Sequence, residues 1–227
     1  MTHLLGIDLG TSSLKVLLVK ENGQISGRGS AEYPIQTPQP GQAEQDPDEW
    51  WQACQAAVRQ ALSSVDGPVK VGVIGLCGQM HGTILLDKQD RLLAPAVIWP
   101  DQRSPRQVKE IIELVGAERL IELTGSPAAT GFQAATVRWF QQEQPEIWQR
   151  VRRVLLPKDY LRWRLTGEFA SDASDGSGTL LLDVRSRDWS GELLAALDIN
   201  FAQLPPVKPS IAIAGELRSD VASLLGL

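Results

Sequence analysis

Leu4-Leu5-Gly6-Ile7-Asp8-Leu9-Gly10-Thr11-Ser12-Ser13-Leu14-Lys15-Val16-Leu17-Leu18-Val19 is a pair of apolar runs meeting at a Gly-Thr-Ser turn, the first run interrupted by a single carboxylate. Glu21-Asn22-Gly23-Gln24 then supplies residues that join antiparallel strands, and Ile25 to Tyr33 reads as a third strand, so the chain opens as a three-stranded meander. After a proline-rich connection from Pro34 to Gly41, Asp46 reads as a helix N-cap and Pro47 as the first helical residue. Trp50, Ala53, Cys54, Ala57, Val58, Ala61 and Leu62 follow at helical spacing. That amphipathic helix should pack on the sheet. Val69 to Gly78 is β-branched and bounded by glycine, which predicts a buried strand parallel to its predecessor.

Further along, Thr83 to Asp87 and Ala94 to Trp99 read as short strands around the turn Asp87-Lys88-Gln89-Asp90. Arg103 to Val115, Ala117 to Thr124 and Gln133 to Gln144 read as helices, Val151 to Leu156 as a strand, and Lys158 to Leu165 as a helix stopped at Thr166-Gly167. Glu168 to Asp183, rich in Ser, Asp and Gly, predicts a polar loop excursion near a cleft. Pro205 to Pro209 reads as a connector and Ile211 to Leu217 as a last strand. No internal repeat or domain linker interrupts this α/β order.

Composition narrows the function classes. The chain has 227 residues, 43% hydrophobic and 22% charged, enough to bury a sizeable core. No apolar run reaches bilayer-spanning length and the N-terminus lacks signal-peptide organisation, which argues for a cytoplasmic protein without a membrane partner. A net charge of −5 argues against nucleic acid as a partner, and Arg150, Arg152 and Arg153 read as a solvated helix end. Two cysteines and two histidines can build neither a disulfide framework nor a zinc site.

Two short motifs can carry chemistry. In Gly6 to Ser13 a tight turn can present backbone N–H groups and hydroxyls of Thr11 and Ser12 to a phosphate, and Asp8 can hold magnesium directly or through water. The turn is neither a Walker A loop nor a dinucleotide fingerprint, and an ordinary hairpin also accounts for it. In Gly78-Gln79-Met80-His81-Gly82, the only methionine besides Met1 adjoins one of two histidines. An imidazole can hydrogen-bond a sugar hydroxyl while a thioether packs on the carbon chain; a core methionine beside a satisfied histidine is the alternative.

Ile7-Asp8-Leu9-Gly10-Thr11-Ser12, Glu44-Gln45-Asp46-Pro47 before Trp50-Trp51, Gly78-Gln79-Met80-His81-Gly82, Leu156-Pro157-Lys158-Asp159-Tyr160-Leu161 and Thr166-Gly167-Glu168 resemble, in order, the N-terminal half of the FGGY carbohydrate kinases, and within them the xylulokinase branch. The resemblance implies a ribonuclease-H-like α/β domain of the actin, heat-shock-protein and sugar-kinase type, a mixed sheet flanked by helices, closing with a second domain on ATP and a ketose. It implies Asp8 with Thr11 and Ser12 on the phosphate and magnesium side, and Met80 with His81 on the sugar. The family's base aspartate lies in a Gly-Gly-x-Asp type segment, which this sequence lacks. Residues 1–227 are thus expected to be the sugar-binding half of an ATP- and Mg²⁺-dependent ketose kinase, inactive alone. Its partners would be a small-molecule ketose and either a second copy or a C-terminal ATP-binding half. A non-catalytic sugar-binding or interaction module is the alternative.

Gln79 and Asp101 are further candidates for the sugar side, Asp101 also reading as the cap of the helix near Ser104. Asp159 reads as a helix N-terminal charge, and Asp172 and Asp175 as solvated loop residues. Burial is expected of Trp50, Trp51, Trp139, Trp148 and Trp163, whereas Trp99 adjoins the candidate cleft.

Overall fold

A computed structural model describes residues 2–227. Strands β1 (Thr2–Leu9), β2 (Ser13–Lys20), β3 (Ile25–Glu32) and β4 (Glu44–Gln45) precede helix α1 (Pro47–Ser63). Then come β5 (Lys70–Gly78), β6 (Ile84–Leu86), β7 (Ala96–Val97), α2 (Pro105–Val115), α3 (Ala117–Thr124), α4 (Gln133–Glu143) and α5 (Pro145–Trp148). The chain continues through β8 (Arg153–Leu155), α6 (Pro157–Thr166), β9 (Ser171–Asp172), α7 (Ala173–Gly176), β10 (Leu182–Asp183) and β11 (Asp188–Trp189) to α8 (Gly191–Ala196), β12 (Val207–Lys208) and α9 (Ser219–Leu225).

The main sheet runs β3-β2-β1-β5, antiparallel within the meander and parallel between β1 and β5. Strand alternation sends Leu5, Ile7, Leu9, Leu14, Val16 and Leu18 to one face, where all are buried. Each such side chain contributes roughly 1.5–3 kcal/mol on full burial. Helix α1 covers this face. Asp46 caps it by accepting from the Asp48 amide at 2.9 Å, and its small residues let it approach β3 closely. An added Cβ on Gly29 would lie 1.9 Å from the Ala57 carbonyl oxygen, and one on Gly27 2.2 Å from that of Ala61. Two glycines thus set the sheet-to-helix spacing.

A second apolar cluster gathers Leu85, Val97 and Leu181 from short strands and a connection with Ile111, Leu120, Val137, Phe140 and Leu193 from the later helices. Antiparallel pairing of β6 with β8, and of β4 with β7, forms two small sheets separate from the main one. Among the described residues no helix is long and apolar enough to cross a membrane. Cys54 is buried and Cys77 exposed, and both are free.

Four features differ from the sequence expectations. Strand β5 is parallel to β1 but is not buried. Its side turned away from α1 is open, and Ile25, Val19, Leu4 and Val73 form a cross-strand apolar row there, with Leu4 43% and Val73 52% exposed. Composition identifies a strand, but coverage depends on what is laid against it. Ile211 to Leu217 forms no strand, because no sheet edge meets it, and Ile211 is 98% exposed. The polar stretch 168–183 is not a plain loop: it contains β9, α7 and β10, and β9 pairs with β12 inside the presumed connector. Arg153 is likewise a strand residue whose guanidinium sits 3.9 Å over the Phe169 ring.

Candidate functional site

The β1–β2 turn is closed by the Gly10 amide donating to the Ser13 carbonyl at 3.1 Å, and a Cβ on Gly10 would come within 2.9 Å of that oxygen. Tyr33 donates its hydroxyl to the Gly10 carbonyl at 2.5 Å. Burial, then the charge of Asp8, pushes that hydroxyl's pKa far up, so it stays a donor. Asp8 is exposed on the open face of β1, and its carboxylate makes no hydrogen bond or ion pair among the described residues. No group of three or more potential metal ligands occurs among them either. Magnesium characteristically takes one or two carboxylates plus waters and phosphate oxygens, so a lone accessible carboxylate beside a glycine turn fits as one contributor.

Thr11 Oγ1 accepts from the Trp99 indole N–H at 2.9 Å. A hydroxyl that accepts there keeps its own proton to donate, so Thr11 can still serve a phosphate oxygen. Ser12 is exposed and its carbonyl accepts from the Tyr33 amide. Trp99 itself is 48% exposed, while Trp50 and Trp51 are buried.

Gln45 ties the two motifs together. Its amide donates to the Thr11 carbonyl at 2.7 Å, and its Oε1 accepts from Trp50 at 3.1 Å and from Gln79 at 2.8 Å. Gln79 is thus committed to the scaffold through its side-chain nitrogen, and its backbone amide donates to the Leu9 carbonyl at 2.7 Å. Met80 is 55% exposed, and the half-buried His81 has φ 68°. The His81 ring packs 4.2 Å from that of Phe132, and its Nδ1 meets the Gly178 carbonyl oxygen. A carbonyl only accepts, so Nδ1 carries a proton, and in the neutral imidazole Nε2 is then the acceptor.

Asp101 does not cap a helix. It is 1% exposed, accepts from the Ala43 amide at 2.7 Å, and chelates Arg103, which also reaches Glu44 at 2.7 Å. Its oxygens are spent on the scaffold. Asp101→Asn is expected to lower stability by about 2 kcal/mol in urea unfolding, because the buried Arg103 loses a charged partner.

Asp159, Asp172 and Asp175 converge on Lys158. Its Nζ lies 2.8 Å from Asp159, 2.7 Å from Asp172 and 3.6 Å from Asp175, and Arg162 adds a second cation at 2.9 Å from Asp159. The expectation of solvated loop carboxylates fails here, because the 171–179 segment folds back onto α6. Burial, reinforced by the charges of Asp159 and Asp172, pushes Asp175 up to about 7 despite Lys158. The folded protein then holds a proton that the unfolded chain releases near its ordinary 3.8, so this group costs stability progressively as pH rises from about 4 to 7. Asp175→Asn should remove that slope, as read from urea midpoints across the window.

The profile described as "FGGY family of carbohydrate kinases, N-terminal domain" matches residues 3–227. The chain belongs to that family. This FGGY domain is 43% identical over 223 residues to xylulose kinase of Escherichia coli, covering 98% of the chain and 46% of that relative. It is 39% identical to xylulose kinase of Lactococcus lactis, covering 98% and 44%. Its fold superposes on the crystal structure of a xylulose kinase from Brucella ovis with TM-score 0.90 at 40% identity, covering 99% and 46%. A ligand-bound xylulose kinase from Lactobacillus acidophilus gives 0.94 at 26% identity, covering 100% and 46%. The FGGY domain therefore spans somewhat under half the length of these relatives, and its mixed sheet with flanking helices is the sugar-kinase type anticipated from sequence.

Phe132, Gly178, Gln45 and Lys158 are contributors that the sequence reading did not single out for the site. Gln45 had a signal in the Glu-Gln-Asp-Pro motif. Phe132 and Gly178 had none, since only the fold brings residues 51 and 97 positions downstream onto His81.

Proposed function

We propose that this domain is the sugar-binding half of an ATP- and Mg²⁺-dependent ketose kinase of xylulokinase type, acting on D-xylulose. The observation that carries the reading is the placement of exposed Met80 and an acceptor-tautomer His81 on the loop whose preceding residue, Gln79, is tied through Gln45 to the phosphate-type turn. Met80 packs on the carbon chain, and His81 Nε2 accepts a hydrogen bond from a sugar hydroxyl. Asp8 faces the magnesium side, while Thr11 and Ser12, in the turn that the Gly10 amide closes, offer N–H and hydroxyl donors to phosphate oxygens. ATP with magnesium supplies the phosphoryl group and the charge neutralisation that its transfer needs. The base for the attacking hydroxyl and the adenine contacts belong to a second half, in keeping with relatives of about twice this length.

Calorimetric titration of D-xylulose, D-ribulose and glycerol into the 227-residue protein tests this. A ketose response exceeding that for glycerol is the expected result. A folded protein with no ketose response overturns the sugar-site assignment. Magnesium-dependent turnover by this chain alone overturns the assignment of the base to a second half.

A further inference from the structure

Lys158 stands between the two segments that hold His81. On one side, a Cβ on Gly78 would lie 3.1 Å from Lys158 Cβ and 3.5 Å from its Cα, so the backbone of the lysine abuts the end of β5 from which the Gln79-Met80-His81 loop departs. Its neighbour Pro157 likewise abuts Gly82, where a Cβ would be 2.6 Å from the proline ring. On the other side, the ammonium group hydrogen-bonds Asp172 at 2.7 Å and lies 3.6 Å from Asp175. Asp172 in turn accepts from the amides of Ser174 and Asp175 at 3.0 and 3.2 Å and from Ser210 Oγ at 2.9 Å. The segment so fixed ends in Gly178, whose carbonyl meets His81 and whose missing side chain admits the imidazole: a Cβ there would fall 2.9 Å from His81 Nδ1.

We propose that Lys158 is the positioning residue for His81: by anchoring the 172–178 segment it places the Gly178 carbonyl that fixes the Nδ1–H tautomer and leaves Nε2 bare for the sugar. This rests on the reading of His81 as a sugar ligand. The lysine acts only through the segment and touches no substrate. An ammonium group buried to this degree is costly unless fully partnered, and the partners it takes here come from two separate elements, α6 and the 172–175 turn. Hydrophobic filler at this position would pack α6 but could not grip the turn.

The test uses the 227-residue protein labelled with ¹⁵N-histidine, the second histidine, His3, being assigned by substitution. Long-range ¹H–¹⁵N spectra should show His81 protonated at Nδ1 in the parent. In Lys158→Met the two nitrogens should move toward a tautomeric average, amide exchange should accelerate across 172–179, and D-xylulose affinity should fall about tenfold. Asp172→Asn combined with Asp175→Asn releases the turn while leaving Lys158 its partner Asp159, and should give the same spectral change if Lys158→Met does not fold. An unchanged His81 tautomer in a folded variant of either kind overturns the proposal. Failure of the parent to bind D-xylulose would instead sink the sugar-site reading, with the tautomer result still deciding the role of Lys158.

Discussion

Gly29→Ala in β3 is expected to cost the domain its stable fold, with a loss of about 3 kcal/mol or more in urea unfolding. The added methyl would sit 1.9 Å from the Ala57 carbonyl oxygen and 2.7 Å from its carbon, both backbone atoms in the middle of a 17-residue helix. A flexible side chain could turn aside; a helix backbone cannot yield there without lifting α1 off the sheet. That would open the space filled by Trp50, Cys54 and Val58, whose burial anchors the larger cluster. Gly75→Ala in β5 is the matched control. Nothing lies within 4 Å of its added methyl, so the substitution should be neutral or stabilise by up to about 1 kcal/mol. Equal losses in the two variants would show that glycine's effect on strand propensity, and not the approach of α1, governs β3.

His81→Ala is expected to weaken D-xylulose binding by about 10- to 100-fold, the range for removing one hydrogen-bonding partner from a partly desolvated site. The imidazole is held from two directions, by the Gly178 carbonyl and by the Phe132 ring, so its orientation is set before any ligand arrives. Met80→Ala removes only flexible apolar contact from a side chain that is 55% exposed, and should cost roughly 3- to 10-fold. Calorimetry on both variants, with circular dichroism to confirm folding, gives the comparison. A His81→Ala protein that binds ketose as tightly as the parent would remove the imidazole from the site.

The meander, α1 and its Asp46 cap, and the helical identity of α2, α3, α4 and α6 were legible because each is written locally, in period-two or period-3.6 patterns bounded by turn and cap residues. The failures share a cause. Ile211 to Leu217 reads as a strand from its composition, yet a strand needs a neighbour's backbone to complete its hydrogen bonds, and composition cannot supply one. Asp175 is polar and lies in a Ser-Asp-Gly stretch, which describes a solvated loop until Lys158, 17 residues earlier, folds against it.

The candidate site divides in the same way. The two motifs around Asp8 and around Met80-His81 were visible as short runs of the right chemistry, with the family resemblance naming what such runs accompany. Asp101 was visible too, but only the fold turns its carboxylate inward to Arg103 and Ala43, where a buried cation and an amide use up its oxygens.

From sequence alone come the α/β order, the tight Gly-Thr-Ser turn and the family, because backbone propensity, side-chain period and motif spacing are local properties. Tertiary structure alone decides that β5 leaves one face of the sheet open, that Thr11 meets Trp99, and that Gly178 selects the tautomer of His81. Those outcomes depend on groups dozens of residues apart arriving within hydrogen-bonding distance, which is fixed by packing the whole core and not by any one stretch of it.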